Sequence, residues 1–318
     1  MNDNIWMAVV NPNAGGGKVA SEWPLLSNKL KDRGVGFEEA FTTHRYHAVE
    51  LVFYALKRGF RKFISVGGDG TLHEIVNGLF YQKDVPVEEI TLAVLPAGSA
   101  NDWSRMFCMP EDYDKAIDTI KECRTVLQDV GRMEYTQAGV RNTRYMVNIA
   151  GVGLDANICH YCNIAKNKGR AGKRAYVKAA FRALVGRRSV MAKVVVDGKS
   201  FFTGKMFSVG FGIGKYSGGG MMQVPDAVAD DGLINLMVAR KVSKLKFIAM
   251  FPRLFKGTIY KVKEVSHKVV RKVCVITRKP DRVEIDGEVV GTTPLTLEVV
   301  PSALRVVVGR DYRSCSRI

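Results

Sequence analysis

Alternating apolar and polar positions divide the chain into two regions with different patterns. In the first 130 or so residues, strand-length apolar runs alternate with stretches of helical spacing. The predicted strands cover residues 6–10, 37–41, 62–66, 91–95 and 126–130, and the predicted helices cover about 19–33, 46–58 and 113–121. This alternation is typical of an α/β domain whose mostly parallel sheet is flanked by helices.

From residue 131 onward, short strands follow one another, with glycine turns between many of them. They are predicted at 145–149, 191–196, 205–210, 233–238, 269–277, 282–285 and 295–299, with helices at about 173–185 and 245–255. This pattern favours an antiparallel β-sandwich. The predicted domains are therefore 1–130 (α/β), 131–304 (β-sandwich) and a segment, 305–318, that can return to the first domain.

The composition is ordinary for a globular protein. The chain is 47% hydrophobic and 25% charged, and its longest apolar runs have strand length. The sequence enters its first strand without the features of a signal peptide, and its six cysteines are scattered. We therefore expect a cytoplasmic protein with reduced thiols. A zinc site at Cys159 and Cys162 is an alternative, but one Cys-x-x-Cys without a second ligand pair is weak evidence.

The net charge of +17 predicts anionic partners. Residues 166–188 contain nine Lys or Arg and no acid, and residues 241–263 contain seven, again without an acid. Both segments also have apolar residues at helical spacing, which favours reversible, peripheral docking on an anionic membrane surface. A packed helix with a solvated basic face is the alternative for each. No nucleic-acid motif accompanies the charge, so nucleic acid is not an expected partner.

Three glycine-rich loops follow predicted strands in the first domain, where an α/β sheet offers backbone N–H groups to anions. They are Asn11-Pro12-Asn13-Ala14-Gly15-Gly16-Gly17-Lys18, Gly67-Gly68-Asp69-Gly70-Thr71 and Gly98-Ser99-Ala100-Asn101-Asp102. None has the Walker A or the dinucleotide-binding pattern. A carboxylate at Asp69 would repel phosphate unless a cation lay between them, which points to magnesium.

These loops resemble the catalytic domain of the diacylglycerol kinase and sphingosine kinase superfamily, particularly its bacterial lipid kinases. The likeness extends along the chain through Asp129-Val130-Gly131, Asn148-x-x-Gly151-x-Gly153-x-Asp155, Gly218-Gly219-Gly220-Met221, Pro225-Asp226-Ala227, Asp230-Asp231-Gly232-Leu233 and Asp286-Gly287-Glu288. The resemblance implies that ATP is bound by Asn11, Pro12, Gly15, Gly16, Gly17, Lys18, Thr42, Gly67, Gly68, Asp69, Gly70, Thr71, Gly98, Ser99, Asn101 and Asp102. Ser99 stands where threonine is usual and Ala100 where glycine is common.

The resemblance also implies the catalytic groups. Glu288 matches the family's general base, and Asp69 and Asp129 would complete an acidic group around a catalytic magnesium. Without the resemblance, the sequence favours a solvated hairpin residue at Glu288, because Asp-Gly is a strong turn signal.

A second, structural magnesium is implied at Asp231, with backbone carbonyls from Val228 and Leu233 as further ligands. The alternative is a simple turn before the strand at 233–238.

The sequence thus predicts an ATP- and Mg²⁺-dependent kinase that phosphorylates the hydroxyl of a membrane lipid, diacylglycerol or a sphingoid-type alcohol. The alternatives are an NAD kinase-like enzyme with a soluble substrate and a catalytically inactive protein that binds anionic lipid. Edge strands permit a homodimer without requiring one.

Overall fold

The computed structural model describes residues 5–167 and 173–314 and divides the chain into two compact units. The first unit comprises residues 5–130 and 301–314, and the second comprises residues 131–167 and 173–300. Each unit has its own set of paired strands and its own buried apolar residues.

Strands and helices alternate in the first unit, and strands predominate in the second. The strands are β1 (Trp6–Val10), β2 (Phe37–Phe41), β3 (Lys62–Gly67), β4 (Thr91–Pro96), β5 (Thr125–Gln137), β6 (Val140–Met146), β7 (Ile149–Gly153), β8 (Val190–Val196), β9 (Lys199–Gly212), β10 (Tyr216–Ser217), β11 (Met221–Met222), β12 (Ile234–Arg240), β13 (Val265–Val270), β14 (Lys272–Thr277), β15 (Arg282–Ile285) and β16 (Glu288–Val307). The helices are α1 (Lys18–Asp32), α2 (His47–Lys57), α3 (Asp69–Tyr81), α4 (Asp102–Met106), α5 (Tyr113–Glu122), α6 (Leu154–Asn167), α7 (Lys173–Gly186), α8 (Lys244–Met250) and α9 (Pro252–Phe255). Single 3-10 turns lie at Ala14–Gly16, Val87–Glu89 and Ile259–Lys261.

In the first unit the strands pair in parallel. The order is β16–β4–β3–β1–β2, where the end of β16 pairs with β4 at Arg305 and Thr91. Every residue of β1 and β4 is buried, as expected for central strands covered on both faces. Because parallel strands share a direction, the loops that follow β1, β3 and β4 emerge at the same edge of the sheet.

The second unit is antiparallel, which confirms the predicted sandwich-like region. Strands β13, β12, β9, β7, β15 and the beginning of β16 pair in this order, while β8 pairs with β9 and β14. Helices α6 to α9 bury apolar side chains in one cluster with residues of these strands. A buried ion pair joins Arg187, just after α7, to Asp281, with 2.7 Å between Nη2 and Oδ2.

Two helix predictions in the second unit need correction. Helix α6 is absent from the predicted elements, although Leu154, Ile158 and Tyr161 have helical spacing and contact the apolar cluster. The polar residues between them obscure the pattern. The single helix predicted at 245–255 is two helices, α8 and α9, because Pro252 has no N–H for an intrahelical bond and begins α9 at its first turn. Within the described ranges, no helix combines the length and apolarity needed to cross a bilayer.

Candidate active site

The glycine loop after β1 contacts both of the other glycine loops of the first unit. The Asn11 side-chain amide donates a hydrogen bond to Thr71 Oγ1 at 3.0 Å. A Cβ atom placed on Gly15 would lie 3.0 Å from the carbonyl oxygen of Ala97. Gly15, Gly16 and Gly17 have φ values of 63°, 75° and 93°. The loop therefore turns through left-handed conformations that glycine adopts without strain.

The loops after β3 and β4 touch through their glycines. A Cβ atom on Gly98 would lie 2.4 Å from Gly68 Cα, and the Ala97 N–H donates to the Gly67 carbonyl at 3.1 Å. Asn101 fixes Gly98 by accepting its N–H at 3.0 Å and donating to its carbonyl at 3.1 Å. The three loops thus converge where α3 begins, and a helix N-terminus attracts anions.

Asp69, the first residue of α3, joins its own loop to the loop after β4. Its Oδ1 accepts the Trp103 N–H at 3.1 Å, and its Oδ2 accepts the Asp102 N–H at 3.3 Å. These N–H groups belong to the first turn of α4, and the N–H groups of a first turn have no partner within their own helix. The sequence does not reveal this contact, because it joins residues more than thirty positions apart.

Two carboxylates of the kind that can hold magnesium lie together at this edge. Asp69 and Asp102 are carboxylates, and the bond between the Asp102 N–H and Asp69 Oδ2 brings them into one neighbourhood. Asp102 is almost fully buried, and the Arg105 guanidinium lies 3.9 Å from its Oδ1. Carboxylate oxygens are the ligands that Mg²⁺ takes together with substrate phosphates, so this donor set fits the ion.

The remaining predicted residues of the first unit differ in exposure. Thr42 is buried at the end of β2, where its N–H bonds the Val10 carbonyl at 2.9 Å. Ser99 is exposed at the tip of its loop. Lys18 is exposed and pairs with Glu22 at 3.1 Å, a hydrogen bond that raises the pKa of Lys18.

Asp129, the third predicted catalytic residue, lies on β5. It is fully buried in β5, and its Oδ1 accepts the Ser302 N–H at 2.7 Å within the first unit. This bond holds the returning end of the chain. A role for Asp129 near magnesium remains a prediction.

At the second predicted metal site, Asp231 is exposed and its Oδ1 accepts the Leu233 N–H at 3.0 Å. Val228 and Leu233 are half-buried. This local bond is that of an Asx turn, which fits the simple turn that is the alternative to a metal site in this segment. In residues 5–167 and 173–314 no group of three or more His, Cys, Asp or Glu side chains is arranged to hold a metal. The single-carboxylate site at Asp231 therefore remains a prediction.

Glu288 begins β16 immediately after a two-residue turn in the second unit. Ile285 pairs with Glu288 across the hairpin, and Asp286 and Gly287 have φ values of 48° and 85°. The Asp286 carboxylate accepts the N–H groups of residues 147, 148 and 149 at 3.0–3.1 Å. The turn is thereby attached to β7 and to the residues before it, and Glu288 has a defined position in the second unit.

Sequence reasoning gave no role to two carboxyl groups near this turn, the buried Glu284 and the half-buried Asp155 of the Asn148–Asp155 motif. Glu284 is 6% exposed, and its Oε2 accepts the Gly287 N–H at 3.0 Å. Asp155 accepts the Ser208 hydroxyl at 2.6 Å and the Gln223 amide at 3.3 Å. Burial raises the pKa of both groups, that of Glu284 well above its usual range. The available signal was an acid between Val283 and Ile285, in the middle of a strand that is otherwise apolar there.

Both units match known protein families. Residues 5–133 match the diacylglycerol kinase catalytic domain, and residues 148–308 match the YegS C-terminal NAD kinase beta sandwich-like domain. A diacylglycerol kinase of Mycobacterium tuberculosis is 28% identical over 302 residues, which are 94% of this chain and 94% of that protein. One of Staphylococcus carnosus is 27% identical over 312 residues, or 98% and 97%.

A solved structure has the same fold. The crystal structure of a diacylglycerol kinase from Bacillus anthracis superposes with a TM-score of 0.71 at 20% identity and covers 98% of each chain. Since the sequence matches run through both units and nearly the whole length of the relatives, this chain belongs to the diacylglycerol kinase superfamily of lipid kinases and is a kinase.

Proposed function

We propose that this kinase transfers the γ-phosphoryl group of ATP to the hydroxyl of a membrane lipid in a magnesium-dependent reaction, with diacylglycerol as the first candidate and a sphingoid-type alcohol as the second. The observation that carries the proposal is the convergence of three glycine loops at the start of α3, beside Asp69 and Asp102. Backbone N–H groups and a helix N-terminus suit a triphosphate. The diacylglycerol kinases among the relatives favour diacylglycerol as the acceptor.

In the proposed reaction, the lipid hydroxyl oxygen bonds to the γ-phosphorus while the bond from that phosphorus to the β–γ bridging oxygen breaks. ADP is the leaving group, and the hydroxyl proton passes to the Glu288 carboxylate. Asp69 and Asp102 would hold magnesium, which supplies charge neutralisation on the phosphates. The loop amides orient the triphosphate, so that little reorganisation is needed in the transition state.

A lipid panel tests this function. Radiolabelled ATP is offered with diacylglycerol, monoacylglycerol, ceramide, sphingosine or phosphatidylglycerol in vesicles, and NAD is offered separately as a soluble acceptor. We expect label in the organic phase, with diacylglycerol the best acceptor, and loss of transfer when EDTA removes magnesium. Label on NAD alone, or transfer that survives EDTA, would contradict the proposal.

We further propose that helices α7 and α8 dock the enzyme on an anionic membrane. Val177, Phe181 and Val185 form an exposed apolar stripe at helical spacing on α7, and they are 65%, 64% and 52% exposed. Arg174 and Lys178 are exposed beside this stripe. Leu184, next to Val185 in the sequence, does not belong to the stripe because it is buried in the core.

Helix α8 extends the same surface. Leu245 is 81% exposed and Ile248 is 53% exposed, while the Lys244 ammonium group donates a hydrogen bond to the Val185 carbonyl. The ends of α7 and α8 therefore meet, and both helices carry exposed apolar and exposed basic side chains. Apolar residues of this kind insert at the headgroup boundary while Lys and Arg attract anionic lipid.

The double variant Arg174→Glu/Lys178→Glu is expected to lower binding to phosphatidylserine vesicles by at least about 30-fold at low salt. Each basic residue near an anionic leaflet contributes about 1 kcal/mol, and the reversed charges add repulsion. Binding is measured by vesicle sedimentation at increasing salt, and wild-type binding should weaken steeply. Lys193→Glu/Lys199→Glu, on the β8–β9 hairpin, makes the same change in net charge and is the control. Equal binding by both double variants would rule out docking through α7.

A further inference from the structure

The turn that precedes Glu288 is held by side chains rather than by its hairpin alone. The Gly287 N–H donates to Glu284 Oε2 at 3.0 Å, and Cys159 Sγ lies 2.7 Å from the Gly287 carbonyl oxygen. Both polar groups of this residue thus contact side chains from β15 and α6. Asp286, on the other side of the turn, is bonded to the backbone at 147–149.

The sheet leaves room for Glu284. Gly151 on β7 pairs with Glu284 on β15 and with Gly210 on β9. A Cβ atom on Gly151 would lie 3.1 Å from Glu284 Oε1, and one on Gly210 would lie 2.8 Å from Gln223 Oε1. Two glycines in adjacent strands therefore accommodate buried polar side chains that larger residues would displace.

A carboxyl group in this place is unfavourable for stability. Burial, followed by the negative charges of Asp155, Asp286 and Glu288, raises the pKa of Glu284 well above its usual range, and the Gly287 N–H opposes this shift. A methionine of similar volume would fill the space without that cost. The contact that methionine could not supply is the hydrogen bond to Gly287.

We propose that Glu284 is a positioning residue for phosphoryl transfer, because its carboxyl oxygen holds the Gly287 N–H and so sets the direction of the adjacent Glu288 side chain. The inference rests on the proposed role of Glu288 as the base. A displacement of about 1 Å in a reacting group can lower a rate about 100-fold, so a small movement of this turn has a measurable effect.

Three substitutions separate this role from a general contribution to folding. Glu284→Gln keeps an oxygen acceptor and resembles the neutral acid. Glu284→Met removes the acceptor at similar volume. Glu284→Asp shortens the side chain by one methylene and so moves the acceptor away from the Gly287 N–H. With radiolabelled ATP and diacylglycerol in anionic vesicles, we expect Glu284→Gln to retain kcat within about threefold. Glu284→Met should lose about 30-fold in kcat with an unchanged KM for ATP and a melting temperature no lower than that of the wild type. Glu298→Met makes the same exchange at an exposed position of β16 and should keep wild-type kcat.

Amide hydrogen exchange of the peptide around Gly287 gives a readout that does not depend on the lipid. Protection should persist in Glu284→Gln and fall in Glu284→Met, and Glu284→Asp replaces the Met variant if the latter does not fold. Full kcat in Glu284→Met and Glu284→Asp, or equal losses in the Gln and Met variants, would overturn the inference while leaving the proposed function in place. Full kcat in Glu288→Gln would instead refute the proposed base, and the positioning role with it.

Discussion

Glu288→Gln is expected to lower kcat for lipid phosphorylation by about 10²–10⁴-fold, with little change in the affinity for ATP. An amide cannot accept the hydroxyl proton, and positioned proton transfer contributes a factor of this size. The side chain keeps its volume at the start of β16, and the contacts that Asp286, Glu284 and Cys159 make with the turn and its neighbours are left in place. The loss should therefore appear in turnover, measured at saturating ATP, and not in the melting temperature.

Glu298→Gln is the matched control for this prediction. It removes one carboxylate from the same strand, at an exposed position paired with Lys272 at 3.1 Å. An exposed pair of this kind contributes little to stability, and wild-type kcat is expected. If Glu288→Gln were as active as Glu298→Gln, Glu288 would not be the base. If instead its KM for ATP rose while kcat stayed constant, Glu288 would act in binding.

The glycine loops could be predicted because their signal is local. Apolar runs end at Val10, Val66 and Leu95, and a glycine-rich segment begins within three residues of the second and third and within five of the first. Both features can be seen in a short window of sequence. The same holds for the Asp286–Gly287 turn, since the dipeptide itself favours a two-residue hairpin.

What the sequence did not predict depends on contacts between distant residues. The bonds from the α4 amides to Asp69, from Gly287 to Glu284 and from Ser302 to Asp129 each depend on how strands are ordered in a sheet. On α7, tertiary packing buries Leu184 and exposes Val177 and Val185, which the sequence of the helix alone does not show. Spacing shows which residues of a helix share a face, but the neighbouring elements determine which face is covered.

Asp69→Asn is expected to lower kcat by about 10²–10³-fold and to weaken the apparent affinity for magnesium. The substitution removes a negative charge from the proposed cation site, where metal-assisted charge stabilisation contributes several kcal/mol. It also turns an amide NH₂ toward the N–H of Asp102 or Trp103, since Asp69 accepts one bond with each oxygen. If the variant has both defects, excess magnesium should restore only part of its kcat. A high magnesium concentration compensates for weaker metal binding by mass action, but it does not correct a displaced loop after β4.

Asp112→Asn separates the metal effect from the helix-capping effect of Asp69. Asp112 caps α5 in the same unit by accepting the Lys115 N–H at 3.0 Å, and it lies outside the glycine loops. Its replacement should leave kcat and the magnesium dependence unchanged, because asparagine is itself a good N-cap residue. Magnesium titrations of kcat for both variants distinguish the possibilities. If Asp69→Asn shows the wild-type magnesium midpoint and no rescue, Asp69 acts through its bonds to the first turn of α4 alone, and the cation must be held by other groups.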